Sequence, residues 1–174
     1  MPKIAAMNAE FELYIRRYLD LVPEDQLIDG LTKAGEATMA LLENIPEEVT
    51  LLAYAPGKWT FRELLQHLVD AERIFVYRAL RFARNDRTPL PSWDEEPYAA
   101  ESFANERSWA SLLEEFAVQR HSSVLFFSGL KQDAWHRSGI ANNQEVGVAT
   151  LCRLISGHNL HHLDIIKTRY IPLL

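Results

Sequence analysis

Four segments of this chain carry apolar residues at spacings of three and four, and proline, glycine or a helix-capping residue bounds each one. That period belongs to a helix with one buried face, and no alternating apolar run long enough to compete with it is present. The clearest case starts at Thr60. Thr60 and Glu63 have the spacing of a capping box, and the helix they open sends Leu64, Leu65, Leu68, Ala71 and Phe75 inward before ending near Asn85. A second pattern runs from Pro23-Glu24-Asp25 to about Ile45 and stops at Pro46. A third runs from about Asn105 to Leu130, where Gly129 can end it, and a fourth from about Val148 to Tyr170, before Pro172. A short amphipathic opening with Phe11, Tyr14, Ile15, Tyr18 and Leu19 precedes them all.

Helices of this length suit an all-α four-helix bundle with a short extra N-terminal helix. Residues 86–104 hold three prolines and no sustained period, so they read as a long crossover loop between the second and third bundle helices, with room for one short helical turn. The stretch from Lys131 to Ala149 reads as another loop. With 174 residues, 48% of them hydrophobic, the whole chain, 1–174, is expected to form one domain with a sizeable core.

Charge and cysteine content narrow the function classes. A net charge of −6 gives no general basic surface, so nucleic acid is disfavoured, and the local cluster Arg78, Arg81, Arg84 and Arg87 reads, like Arg120, as a solvated face. The one cysteine, Cys152, asks for no oxidising compartment and reads as a small buried hydrophobe. No run is long enough to span a membrane, and the first residues lack a secretory apolar core. The expected location is cytoplasmic, with no membrane partner.

Histidine is where the sequence points to chemistry. In "SGHNLHHLDII", His158 and His162 share the stripe of Leu151, Ile155 and Ile165, whereas His161 lies about 100° away at 3.6 residues per turn. Two imidazoles four residues apart on one face can reach a single ion. His67, flanked by Leu64 and Ala71 on the helix capped at Thr60, is the candidate third ligand. Three protein nitrogens would leave a coordination position open, as catalytic sites do. Spacing alone leaves zinc, nickel, copper and iron all open. Asp70 and Asp164 are near enough in sequence to serve as acceptors for the outer ring nitrogens, and equally read as surface charges. His121 and His136 have no partner at ligand spacing and read as surface or loop residues. Trp59, Trp93, Trp109 and Trp135 read as core or loop anchors, with Trp93 also placed to face a substrate.

The pairing of "APGKWTFRELLQHLVDAER" with the later "RSGIANNQEVGVATLCRLISGHNLHHLDIIKTRY" resembles the DinB-like superfamily, including its YfiT-like branch of metal-dependent hydrolases and bacillithiol transferases. The resemblance runs from about Glu24 to Tyr170. It departs at Asn142-Asn143, where relatives often have Asn-Gly. It implies a four-helix bundle, a divalent metal that is often nickel or zinc on His67, His158 and His162, and frequent homodimers. Phe11, Tyr14, Ile15 and Tyr18 give the N-terminal helix more apolar surface than an appendage needs, so it is expected either to cover the bundle or to join two chains. The first choice of activity is a metal-dependent thiol S-transferase acting on a low-molecular-weight thiol, with thiol specificity coming from the 86–104 loop and the helix ends around the metal. A metal-dependent hydrolase and a non-catalytic, stress-associated metal-binding bundle are the alternatives. The catalytic species would be a metal-held thiolate or water, and no protein side chain is singled out as catalytic.

Overall fold

The computed structural model describes residues 9–174. The reading of the N-terminus as lacking a secretory core rests largely on positions that lie outside the described residues. Helix α1 covers Ala9–Leu19, α2 Leu27–Leu42, α3 Phe61–Ala83, α5 Trp109–Ser128 and α7 Val148–Ile165. Among the described residues no helix is long and apolar enough to cross a membrane.

Helix α3 begins as its sequence requires. The Thr60 hydroxyl accepts from the Glu63 amide at 3.1 Å, and the Glu63 carboxylate accepts from the Thr60 amide at 2.8 Å. Two other starts fall about four residues later than the periodicity suggests. Pro23–Gln26 forms a turn, closed by the Gln26 amide donating to the Pro23 carbonyl at 3.2 Å, so α2 starts at Leu27. Ser108 caps α5 by accepting from the Ser111 amide at 3.2 Å, so α5 starts at Trp109.

Helices α2 and α3 each pack on both α5 and α7, which places α2 and α3 at opposite corners of the bundle. The core lies in two apolar clusters. One, around Phe82, Phe127, Leu151 and Ile155, fills one half of the bundle. The other, around Phe61, Leu65, Trp109, Phe116 and Tyr170, fills the other half. Helix α1 lies on α7 as a cover, with Ile15 and Tyr18 packed on Leu154. Their backbones meet at Gly157, where a Cβ would stand 2.1 Å from the Tyr18 carbonyl oxygen, so only glycine allows this approach.

The 86–104 loop carries a single short helix, α4, at Glu95–Glu101. The segment from Lys131 to Ala149 is more than the loop expected. After a one-turn helix, α6 (Gln132–Trp135), it forms an antiparallel hairpin, β1 (Ser138–Ala141) with β2 (Gln144–Gly147). Asn142 and Asn143 both have positive φ, 52° and 58°, as a two-residue hairpin turn of the primed type requires. Asparagine tolerates that region, so Asn143 does the work of the more usual glycine. The crossover loop joins this hairpin: the Leu90 amide donates to the Ile140 carbonyl at 2.9 Å, and the Asn142 amide to the Leu90 carbonyl at 3.0 Å.

Two arginines expected on a solvated face are buried. Arg120 lies in the bundle core, where its guanidinium meets both Glu72 carboxylate oxygens at 2.8–3.1 Å, the Leu31 carbonyl at 2.7 Å and the Asn159 amide oxygen at 2.8 Å. Asn159 in turn donates to the Thr38 hydroxyl at 2.7 Å. The network draws on all four bundle helices, and a buried charge with this many partners is tolerated because each of the three guanidinium nitrogens has an acceptor. Arg78 is buried too, while Arg84 and Arg87 are exposed as expected. Arg81 is half-buried and pairs with Asp86.

Candidate metal centre

The turn ahead of α3 sets the scene. Gly57, at φ 71°, closes a turn in which the Lys58 amide donates to the Ala55 carbonyl at 3.1 Å, with Pro56 and Gly57 at its two central positions. Trp59 follows, held by the Tyr170 hydroxyl donating to its carbonyl at 2.6 Å. Its indole rests on the His67 ring, with centroids 4.5 Å apart, and Trp93 from the crossover loop stacks near that same ring at 6.0 Å. Helix α7 packs along α3 and brings in the other two rings.

The three histidines converge. His67 Nε2 lies 3.1 Å from His158 Nε2, which lies 3.1 Å from His162 Nε2. One nitrogen from each of the three rings lies within 4.8 Å of the others. His67 and His158 are buried and His162 partly so. Burial pushes the His67 imidazole down to about 4 and holds His158 and His162 well below the ordinary value, and for His158 and His162 a proton on a neighbouring imidazole would act in the same direction. All three rings are therefore neutral near pH 7, with lone pairs to offer.

Hydrogen bonding among the rings does not satisfy this arrangement. A neutral ring nitrogen has either one proton or one lone pair in its plane, so His158 Nε2 can satisfy only one of its two close contacts. A divalent ion satisfies all three lone pairs at once. Ligand bonds of about 2.0–2.1 Å at tetrahedral angles put nitrogens about 3.3 Å apart, close to the spacing here. His162 Nδ1, the ring nitrogen away from this contact, is buried with no hydrogen-bond partner among the described residues.

The remaining expected residues fall out differently. His161 turns to Tyr18, with centroids 5.3 Å apart, and is outside the converging set. Asp70 accepts from Gln66 at 3.0 Å and pairs with Arg73, and Asp164 is exposed; among the described residues neither is hydrogen-bonded to a ring of the cluster. Cys152 is fully buried, its thiol pushed up to about 12 by burial, which suits an inert core residue. His121 and His136 are exposed.

Sequence reasoning missed the surroundings. Tyr18 and Phe75 set their ring edges against His158, at 5.4 and 6.0 Å. A cavity of about 570 Å³ borders His158, walled by Phe75, Trp93, Leu154 and the hairpin tip, with Arg78 in its lining. Arg78 stands three turns after His67, within about 20° of its face at 3.6 residues per turn, and that spacing was the available signal.

Comparison with known proteins agrees with the geometry. The DinB superfamily model matches residues 31–166. A protein of Oceanobacillus iheyensis named "Putative metal-dependent hydrolase OB0413" is 25% identical over 128 residues, covering 72% of this chain and 73% of that one. YfiT from Bacillus subtilis, described as a probable metal-dependent hydrolase with an unusual four-helix bundle topology, superposes with a TM-score of 0.76 at 16% identity, over 86% of this chain and 87% of that one. A mycothiol-dependent maleylpyruvate isomerase superposes with a TM-score of 0.68 at 13% identity, over 84% of this chain and 61% of that one. With the family match spanning most of the chain and the bundle in place, this protein belongs to the DinB superfamily.

Proposed function

We propose that this protein is a metal-dependent enzyme that holds one divalent ion, nickel or zinc, on His67, His158 and His162, and that it activates a low-molecular-weight thiol for transfer to an electrophile. The observation that carries the reading is the convergence of three neutral imidazoles beside a cavity of about 570 Å³. When bound, a divalent ion supplies Lewis acidity that lowers the pKa of a coordinated thiol or water. Because the three ligands carry no charge, the site keeps the ion's full charge and favours an anionic sulfur. The protein's own part is to hold the rings neutral by burial, to pack Trp59 and Trp93 against His67, and to offer a cavity sized for a small molecule. In the transfer, the thiol gives its proton to solvent, its sulfur forms a bond to the electrophilic carbon, and the bond from that carbon to the leaving group breaks, with the leaving group taking the electron pair into solvent.

Hydrolysis is the second reading, favoured by the hydrolase name of the Oceanobacillus relative. Cobalt-substituted protein separates the two. Titration with small thiols should produce a sulfur-to-cobalt charge-transfer band, and transfer to monochlorobimane should require both metal and thiol. Cleavage of esters or amides with a silent cobalt spectrum would install the hydrolase reading instead. Silence in both assays, with metal retained, would leave a non-catalytic metal-binding bundle.

A further inference from the structure

Three arginines are buried in this bundle: Arg62, Arg78 and Arg120. Two of them meet a carboxylate, Arg62 with Glu47 at 2.6 Å and Arg120 with Glu72 at 2.8 Å. Arg78 has no such partner among the described residues. Its guanidinium makes one hydrogen bond there, from Nη2 to the Pro91 carbonyl at 2.9 Å, and it is only 8% exposed. Burial lowers its pKa, but a guanidinium stays charged under any physiological condition. A charge taken out of water without a counter-charge is costly, and this one lines the cavity that also borders His158.

We propose that Arg78 is the anchor for a carboxylate on the small molecule this cavity binds. The guanidinium's remaining N–H groups form a planar fork, which suits a carboxylate held by two parallel hydrogen bonds. Phe75, Tyr14 and Leu154 line the same cavity and fit an apolar body, and the Glu95 carboxylate, also on its wall, forms no ion pair with Arg78 among the described residues. Arg78 and His158 line this one cavity, so a ligand anchored at Arg78 shares its space with a ring of the histidine cluster. The ligand class is thus a carboxylate-bearing molecule with an apolar middle, its far end beside the histidines. The inference rests on the proposed reading of the site only for where the reactive end lies.

Hexanoate and hexanamide, matched in shape and different in charge, test the anchor by calorimetry and ligand-observed NMR, on protein as purified and again after chelation. Hexanoate should bind in both preparations and about 10-fold or more tighter than hexanamide, the difference expected for a charge-assisted pair. Arg78→Gln should remove that preference and Arg78→Lys should keep part of it, with unchanged thermal unfolding showing that each variant is folded. Equal binding of the two probes to the unaltered chain, no binding of hexanoate, or an unchanged preference in folded Arg78→Gln would overturn the proposal, and tighter binding of hexylphosphonate would reassign the anchor to a phosphoryl group. Because chelated protein reads the anchor without metal, failure here is separable from failure of the metal reading, which metal content reports independently.

Discussion

Two buried polar clusters sit side by side on α7, and they are built on opposite principles. Asn159 belongs to a closed network, in which Glu72, Arg120, Asn159 and Thr38 supply partners to one another. His158, the preceding residue, belongs to a cluster that closes on nothing. Its Nε2 faces two other imidazole nitrogens at 3.1 Å, and His162 Nδ1 is buried without a partner among the described residues. The first arrangement binds four helices together. The second leaves lone pairs aimed at a common point, which costs stability in the free protein and becomes useful when a ligand fills it.

The contrast predicts how each cluster fails. Removing Glu72 strands a buried guanidinium, so Glu72→Ala should destabilise the fold by about 3–5 kcal/mol, measured by denaturant unfolding. Asn159→Ala breaks the same network at a neutral member and should cost about 1–3 kcal/mol while metal content stays full. Should Asn159→Ala shed the metal at unchanged stability, the two clusters would not be separate devices.

Acid should attack the histidine cluster. The three imidazoles are held neutral in the folded protein, His67 down to about 4, whereas an unfolded chain takes up their protons near 6.5. The unfolded state then binds more protons than the folded one, and stability of chelated protein falls as pH drops from about 6.5 toward about 4. Urea midpoints across that range check it, and a flat profile would show that the rings are not buried neutral. The smallest effect is expected at His161, whose ring packs on Tyr18 outside the cluster. His161→Ala should keep a full complement of metal, and a shift in thermal midpoint is its main readout.

Much of this was legible beforehand, for reasons that are local. A capping box and a 3.6-residue period place α3, and the same period puts His158 and His162 on one face and His161 off it. What escaped reading depends on partners distant in sequence. Glu72 and Arg120 are 48 residues apart, so each looks like a surface charge until the helices pack. The hairpin's four-residue strands are too short to show a period, and their turn works through the left-handed backbone of two asparagines instead of a glycine. Arg78 carried a signal in its register with His67, but only the cavity gives that register a meaning.

The central claim is that the unclosed cluster exists to hold an ion, and metal analysis of tag-free protein tests it most directly. The unaltered chain should carry about one divalent ion per chain, and His67→Ala, His158→Ala and His162→Ala should each lose it while remaining folded. Full occupancy in folded His158→Ala would contradict the account.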